Sequence, residues 1–293
     1  VKKIFVTGAG GFIGKNFLET FGKSYEVSAP THAELELADA SAVETHFRER
    51  GPFDLVLHLA NVGGKRNSSG SGVLSGNLAM FNNLLRCRNR FDRMIFLGSG
   101  AEYGKQRPLV SVRESAFDEN VPTDEYGLAK YLCSKLSSSD DGILNLRVFG
   151  VFGPYEDVSV RFISNAICRI LMGEGILLKQ DCVFDYTDVR DLCEVIRACI
   201  DRAPPFRACN AGSGRRTSLR ELAGIVRSVT GNGRPIRVLN PGIGREYTCD
   251  NSLLRGWMKG FEFRGFEESI RNLYEWYRGR IDRIDRNRIF FDG

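Results

Sequence analysis

The chain has 293 residues, 42% hydrophobic and 26% charged, which is enough apolar mass for one large domain or two smaller ones. Its 41 basic and 36 acidic residues leave a formal charge of +5, which suits an anionic small-molecule ligand but lacks the clustered basic excess of a nucleic-acid binder. The eight cysteines include no CxxC pair, the three histidines stand far apart, and no run reaches 18 apolar residues, so neither a zinc site nor a membrane span is expected.

In chain order, the first half alternates short apolar runs with helical patterns. Residues 2–8 form a strand pattern with no signal peptide before it, 11–21 a helix and 25–30 a second strand. A helix follows at 41–50, a strand at 53–60, a helix at 76–90, a strand at 93–99, a helix at 126–138 and a strand at 143–150. Continuous apolar strands between amphipathic helices predict an α/β fold: a Rossmann-type, doubly wound parallel sheet covered on both faces. Beyond residue 150 the alternation loosens into helices at 161–173, 218–231 and 266–280, with Gly/Pro-rich connections. The expected division is a cofactor domain at 1–150 with a return segment at about 184–210, and a smaller substrate lobe at 151–183 and 211–293. Gly63–Gly72 is expected to be a flexible loop beside a site, and the arginine-rich Arg278–Arg288 a solvated helix or tail. Cysteines in apolar contexts such as 193–200 behave as small reduced hydrophobes, which predicts a cytoplasmic protein.

The first strand runs into TGAGGFIG, Thr7–Gly14. Gly8, Gly11 and Gly14 have the spacing of a dinucleotide turn. Gly8 permits the bend, Gly11 a close backbone approach to a diphosphate, and Gly14 tight helix packing. Phe12 and Ile13 open the following helix, whose N-terminal N–H groups face the anion. At the end of the second strand, Thr31 and His32 stand where an NAD site carries an acid, and no carboxylate appears before Glu34. That leaves room for a 2′-phosphate near Thr31, His32 and Lys15, so NADP(H) is favoured and NAD(H) is the alternative.

The strand at 93–99 delivers Ser99 to the C-terminal edge of the sheet, where ligands bind. Tyr126 and Lys130 stand at i and i+4 of a later helix and so share a face. An ammonium beside a phenol favours the phenolate. Such a phenol can exchange a proton with a substrate oxygen while hydride moves to or from a nicotinamide. Ser99, Tyr126 and Lys130 are the candidate catalytic set.

With these motifs the chain resembles the extended short-chain dehydrogenase/reductase family, in its nucleotide-sugar epimerase/dehydratase/reductase branch, over nearly its whole length. By that resemblance Asp39 meets the adenine, Leu59 and Ala60 in HLANVGG line the cofactor, and Asn77 opens the next helix beside it. Tyr126 and Lys130 also contact the cofactor, and Ala101, Arg161 and Arg245 face the nucleotide-sugar substrate. A homodimer is implied as well.

Three departures matter. The family's 4,6-dehydratases carry an Asp-Glu pair where Gly100 and Ala101 stand; Glu102 comes one place late and, on an alternating strand, faces the other way. The 3,5-epimerase/reductases such as GDP-fucose synthase carry a cysteine at the Ala101 position and a histidine in the substrate lobe, and both are missing here. Gly150 and Phe184 replace a common Asn and Arg. What remains is reduction of a 4-keto-sugar nucleotide with Tyr126 as acid/base. The alternatives are 4-epimerisation with tightly bound NAD and, in a different class, a non-catalytic NADP-binding regulator.

Overall fold

A computed structural model of the protein describes residues 1–63 and 72–289. The Gly63–Gly72 loop expectation therefore falls, apart from its two end residues, outside the described residues. The chain divides into two compact units: one of residues 1–106, 113–148 and 193–211, the other of 107–112, 149–192 and 212 onward. Residues 107–112 and 184–192 thus group with the second unit, although the sequence pattern put them in the first.

The first unit is built on a six-stranded sheet. Its elements are β1 (Lys3–Thr7), α1 (Phe12–Phe21), β2 (Glu26–Ser28), α2 (Ala40–Arg50), β3 (Phe53–His58), α3 (Val73–Arg86), β4 (Phe91–Ser99) and α4 (Glu125–Ser137), followed by strands Ile143–Val148 and Ala208–Ala211. The strand order is Ala208–Ala211, Ile143–Val148, β4, β3, β1, β2, all parallel. Strands covered on both faces must be apolar throughout, and Ile4, Phe5 and Val6 are indeed completely buried. Pro30, with no N–H to give a ladder, follows shortly after β2, which is only three residues long.

On one face α2 and α3 pack through Val43, Phe47, Phe81 and Leu84 against Phe5, Phe53 and Phe96. Edge-to-face contacts of Phe47 with Phe5 and Phe53, at 5.0 and 5.4 Å, tie helix to sheet. The chain leaves β1 toward β2 in one direction, then returns past β1 to β3 and β4. This reversal leaves a crevice at the C-terminal ends of β1 and β3, the place where doubly wound sheets bind ligands.

In the second unit, helices Phe162–Leu171, Leu219–Thr230 and Phe266–Arg278 share a core of Ile163, Ile167, Leu222, Val226, Ile270 and Leu273. Segments expected as connections are strands. Ile176–Asp181 pairs in parallel with Ile236–Ile243, and four short strands line up in the order Thr217–Ser218, Val183–Phe184, Tyr247–Cys249, Leu109–Val112. Their two to eight residues carry too little period to be recognised, and each is stabilised by a partner distant in sequence. In the stretch Arg278–Arg288, Arg278, Arg283, Arg286 and Arg288 are exposed, Arg280 is half-buried with its guanidinium 4.6 Å from the Trp276 ring centroid, and Arg288 pairs with Asp157 at 2.7 Å. Gly150 has a steric reason, because a Cβ there would lie 2.6 Å from the Asp185 carbonyl oxygen. Phe184 packs on Tyr186 and Tyr247, with ring centroids 5.7 and 5.8 Å away.

This core also buries a carboxyl. Ser164 donates to Glu156 Oε1, while Oε2 has no hydrogen-bond partner among the described residues. Burial pushes Glu156 from 4.5 up to about 8. Between those values the folded protein holds a proton that the unfolded chain has released, so stability falls as pH rises through this window and the loss is complete above it. The slope approaches about 1.4 kcal/mol per pH unit. We expect Glu156→Gln to flatten the fall in unfolding temperature between about pH 5 and 8. Tryptophan fluorescence can follow it, since Trp257 and Trp276 both lie in the second unit.

Candidate functional site

At the crevice, Gly8 takes φ +67°, and a Cβ on it would stand 2.5 Å from Ala60 N and 2.7 Å from the Leu59 carbonyl carbon. Only glycine allows both the left-handed turn and this approach. Gly14 is equally constrained: its Cβ would lie 2.3 Å from Gly8 O, so α1 starts directly on the turn. The α1 N-cap, Gly11, provides no side-chain cap and the first turn has no acid. Phe12 and Ile13, both half-buried, begin that turn. A helix N-terminus left bare of carboxylates suits a diphosphate.

Thr7 Oγ1 accepts hydrogen bonds from Leu59 N and Ala60 N at 3.1 and 3.2 Å and contacts His58 Nδ1 at 2.8 Å. With its lone pairs occupied, the hydroxyl donates to Nδ1, which places the imidazole proton on Nε2. His58 is neutral: burial, then the Lys130 charge, push it down to about 3.

The expected ribose end looks different from the sequence reading. Thr31 N and Oγ1 both donate to Glu34 Oε2, at 2.7 and 2.9 Å, and His32 lies 3.3 Å from Glu36. Carboxylates therefore do flank both residues, because the turn folds Glu34 back onto Thr31. Asp39 is the exposed N-cap of α2 and accepts from Ala42 N at 3.1 Å. Asn77 is buried; its amide donates to Val62 O and Val73 O and accepts from Val62 N. Its hydrogen bonds hold the loop after β3 to the first turn of α3.

Ser99, Tyr126 and Lys130 all belong to the first unit. Asp124 caps α4 by accepting from Gly127 N at 2.9 Å, which sets Tyr126 in the first turn, half-buried. Lys130 is buried; its Nζ donates to Leu97 O at 2.8 Å and stands 5.9 Å from the Tyr126 ring centroid. Lys105 Nζ is 5.7 Å from the same ring. Helix and serine turn meet at Gly127, where a Cβ would lie 3.0 Å from Ala101 O. The Ser99 side chain accepts from Ala101 N at 3.1 Å and from the backbone of Glu102.

Glu102 was misplaced by sequence reasoning. β4 ends at Ser99, and Gly100–Tyr103 is a 3₁₀ turn, not a continued strand. The Glu102 carboxylate is completely buried beneath this turn, where it accepts from Ser99 N at 2.9 Å, Arg147 Nε at 2.9 Å and Asn145 Nδ2 at 3.0 Å. Burial pushes this carboxyl up, and Arg147 opposes the shift. Asn145 and Arg147 also donate to Ser134 Oγ on α4, at 2.9 and 3.3 Å. The signal was present in the sequence: a serine with glutamate three residues on is the capping-box spacing. Ala101, expected against substrate, is itself buried. Arg161, preceding its helix, and Arg245 are exposed and belong to the second unit.

A parallel sheet with a glycine turn and a bare helix N-terminus at its switch point defines a Rossmann-type dinucleotide-binding protein. The sequence profile of the NAD dependent epimerase/dehydratase family matches residues 4–212, and the chain belongs to that family. It is 34% identical over 142 residues to a GDP-L-colitose synthase of Yersinia pseudotuberculosis, a match covering 46% of each chain. It is 31% identical over 152 residues to a GDP-L-fucose synthase of Azorhizobium caulinodans, covering 49% of this chain and 48% of that one. The chain spans about half the length of these curated relatives. A crystal structure of a GDP-L-fucose synthetase from Naegleria fowleri bound to NADP superposes with a TM-score of 0.81, covering 96% of this chain and 94% of that one at 16% identity, a likeness of fold. None of the eight cysteines is in a disulfide, and among the described residues there is neither a metal-binding cluster nor a helix long and apolar enough to cross a membrane.

Gly8→Ala is expected to weaken NAD(P)H binding about tenfold or more, from a left-handed backbone penalty of about 1–2 kcal/mol plus the clash with Ala60. Gly10→Ala, where a Cβ meets nothing within 4 Å, should bind as wild type. Titration of reduced-cofactor fluorescence compares the two.

Proposed function

We propose that the chain is an NAD(P)-dependent oxidoreductase that reduces a 4-keto-sugar nucleotide. The observation that carries this reading is the convergence of Ser99, Tyr126 and Lys130 within one unit, with Gly127 of the tyrosine helix seated against the Ala101 carbonyl of the serine turn. A reduced nicotinamide cofactor bound here would supply the hydride for the carbonyl carbon. Tyr126 gives its phenolic proton to the oxygen, and Lys130, fixed by Leu97 O, compensates the negative charge left on the phenol. Ser99, whose side chain is fixed at the turn by Ala101 N and Glu102 N, hydrogen-bonds the same oxygen. The turn at Gly8, the α1 N-terminus and the Leu59–Ala60 backbone would hold the cofactor, and Arg161 and Arg245 the substrate diphosphate. Glu102 is locked in an ion pair with Arg147, so it does not supply the second acid of a dehydratase. The reductase reading is further supported by sequence likeness to two GDP-sugar synthases.

A second reading, 4-epimerisation with retained NAD, draws on Glu34 and Glu36. A 2′-phosphate at Thr31 and His32 would have to displace or neutralise these carboxylates. The two readings differ in redox balance. Incubation with nucleotide 4-keto-sugars and NADPH, and separately with UDP- and GDP-hexoses, should consume reduced cofactor one-for-one with product in the first case. Product formation with no change in absorbance would overturn the reductase reading in favour of the epimerase. In either case Tyr126→Phe should slow turnover by about 10²–10⁴ with cofactor binding retained.

A further inference from the structure

We infer that Glu102, through its buried pair with Arg147, is a positioning residue that holds Ser99 in place relative to α4. The inference rests on the reading above, in which Ser99 contacts the reacting oxygen. Glu102 Oε1 accepts from Ser99 N at 2.9 Å, and Glu102's own backbone N–H completes the bonds into Ser99 Oγ. One residue therefore reaches Ser99 twice, its carboxylate accepting from the Ser99 backbone N–H and its own N–H donating to the hydroxyl oxygen. The other oxygen reaches Arg147 and Asn145, and these in turn reach Ser134, one helical turn beyond Lys130. Arg147 Nη1 further donates to Tyr103 OH at 3.1 Å, and that hydroxyl donates to Asn210 Oδ1 at 2.7 Å. The serine turn is thereby joined through Glu102 to the helix that carries Tyr126 and Lys130.

Neighbouring residues make room for this carboxylate. A Cβ at Gly98 would stand 2.1 Å from Glu102 Oε1 and 2.1 Å from Asn145 Oδ1. The Arg147 guanidinium is held from another side, 4.3 Å from the Phe117 ring centroid. Stability alone is a weak reason for such a pair, since a buried ion pair can be replaced by apolar side chains of similar volume at little or no loss. Orientation is a better one: apolar side chains cannot accept from Ser99 N.

The test is a double-mutant cycle in kcat, with wild type, Ser99→Ala, Glu102→Gln, and Ser99→Ala/Glu102→Gln assayed with NADPH and whichever nucleotide sugar turns over in the panel above. Glu102→Gln should lower kcat about tenfold with KM changed less than about twofold, and should cause no further loss once Ser99 is Ala. The isosteric double variant Glu102→Met/Arg147→Met should keep its unfolding temperature and still lose kcat, which covers the case in which Glu102→Gln fails to fold. Losses that multiply in the Ser99/Glu102 cycle, or wild-type kcat in the Met/Met variant, would overturn the positioning role. Tyr126→Phe assayed alongside separates the two ideas. A wild-type rate there defeats the acid/base reading itself, whereas a dead Tyr126→Phe with multiplying losses defeats only the positioning.

Discussion

At Gly8 the backbone leaving β1 passes so close to the chain leaving β3 that a single added carbon would lie 2.5 Å from Ala60 N. The Thr7 hydroxyl draws the same two segments together by accepting from Leu59 N and Ala60 N. This contact shapes the switch point of the sheet. It sets the turn on which α1 begins and brings the β3 loop beside the helix N-terminus. It also buries His58 in a neutral state.

The first unit distributes its buried charge so that each group has a defined partner. Lys130 is oriented by a carbonyl of β4, not by a carboxylate, and its ammonium keeps its positive charge available near Tyr126. Glu102 and Arg147 neutralise each other beneath the serine turn. In low dielectric a buried carboxylate is costly unless it is hydrogen-bonded, and Glu102 accepts from Ser99 N, Asn145 Nδ2 and Arg147 Nε. Tyr126 itself is half-buried in the first turn of α4.

Legibility in the sequence followed how local each determinant was. β1, α1, α2, β3 and α4 were visible because an apolar strand or an amphipathic helix carries its own period, and Gly8–Gly14 because a turn between them needs glycine at set places. The strands Ile176–Asp181 and Ile236–Ile243 were hidden: the second is largely exposed and contains Pro241 and Gly242, and only pairing with the first makes it a strand. Thr31 looked open to a phosphate, since a sequence does not show that Glu34 folds back onto it. Glu102 was assigned to a strand that had already ended.

The sequence by itself determined the order of strands and helices in the first unit, the dinucleotide turn, and the residue types Ser99, Tyr126 and Lys130 at spacings that suit carbonyl–alcohol chemistry. These depend on periodicity and backbone sterics within a few residues. Only the tertiary structure decided which way Glu102 faces, that Asn77 holds a loop, that His58 is neutral, and that the serine turn seats against Gly127. Each of these is fixed by burial and by a hydrogen-bonding or packing partner contributed from elsewhere in the chain, and neither burial nor such a partner has a local signature.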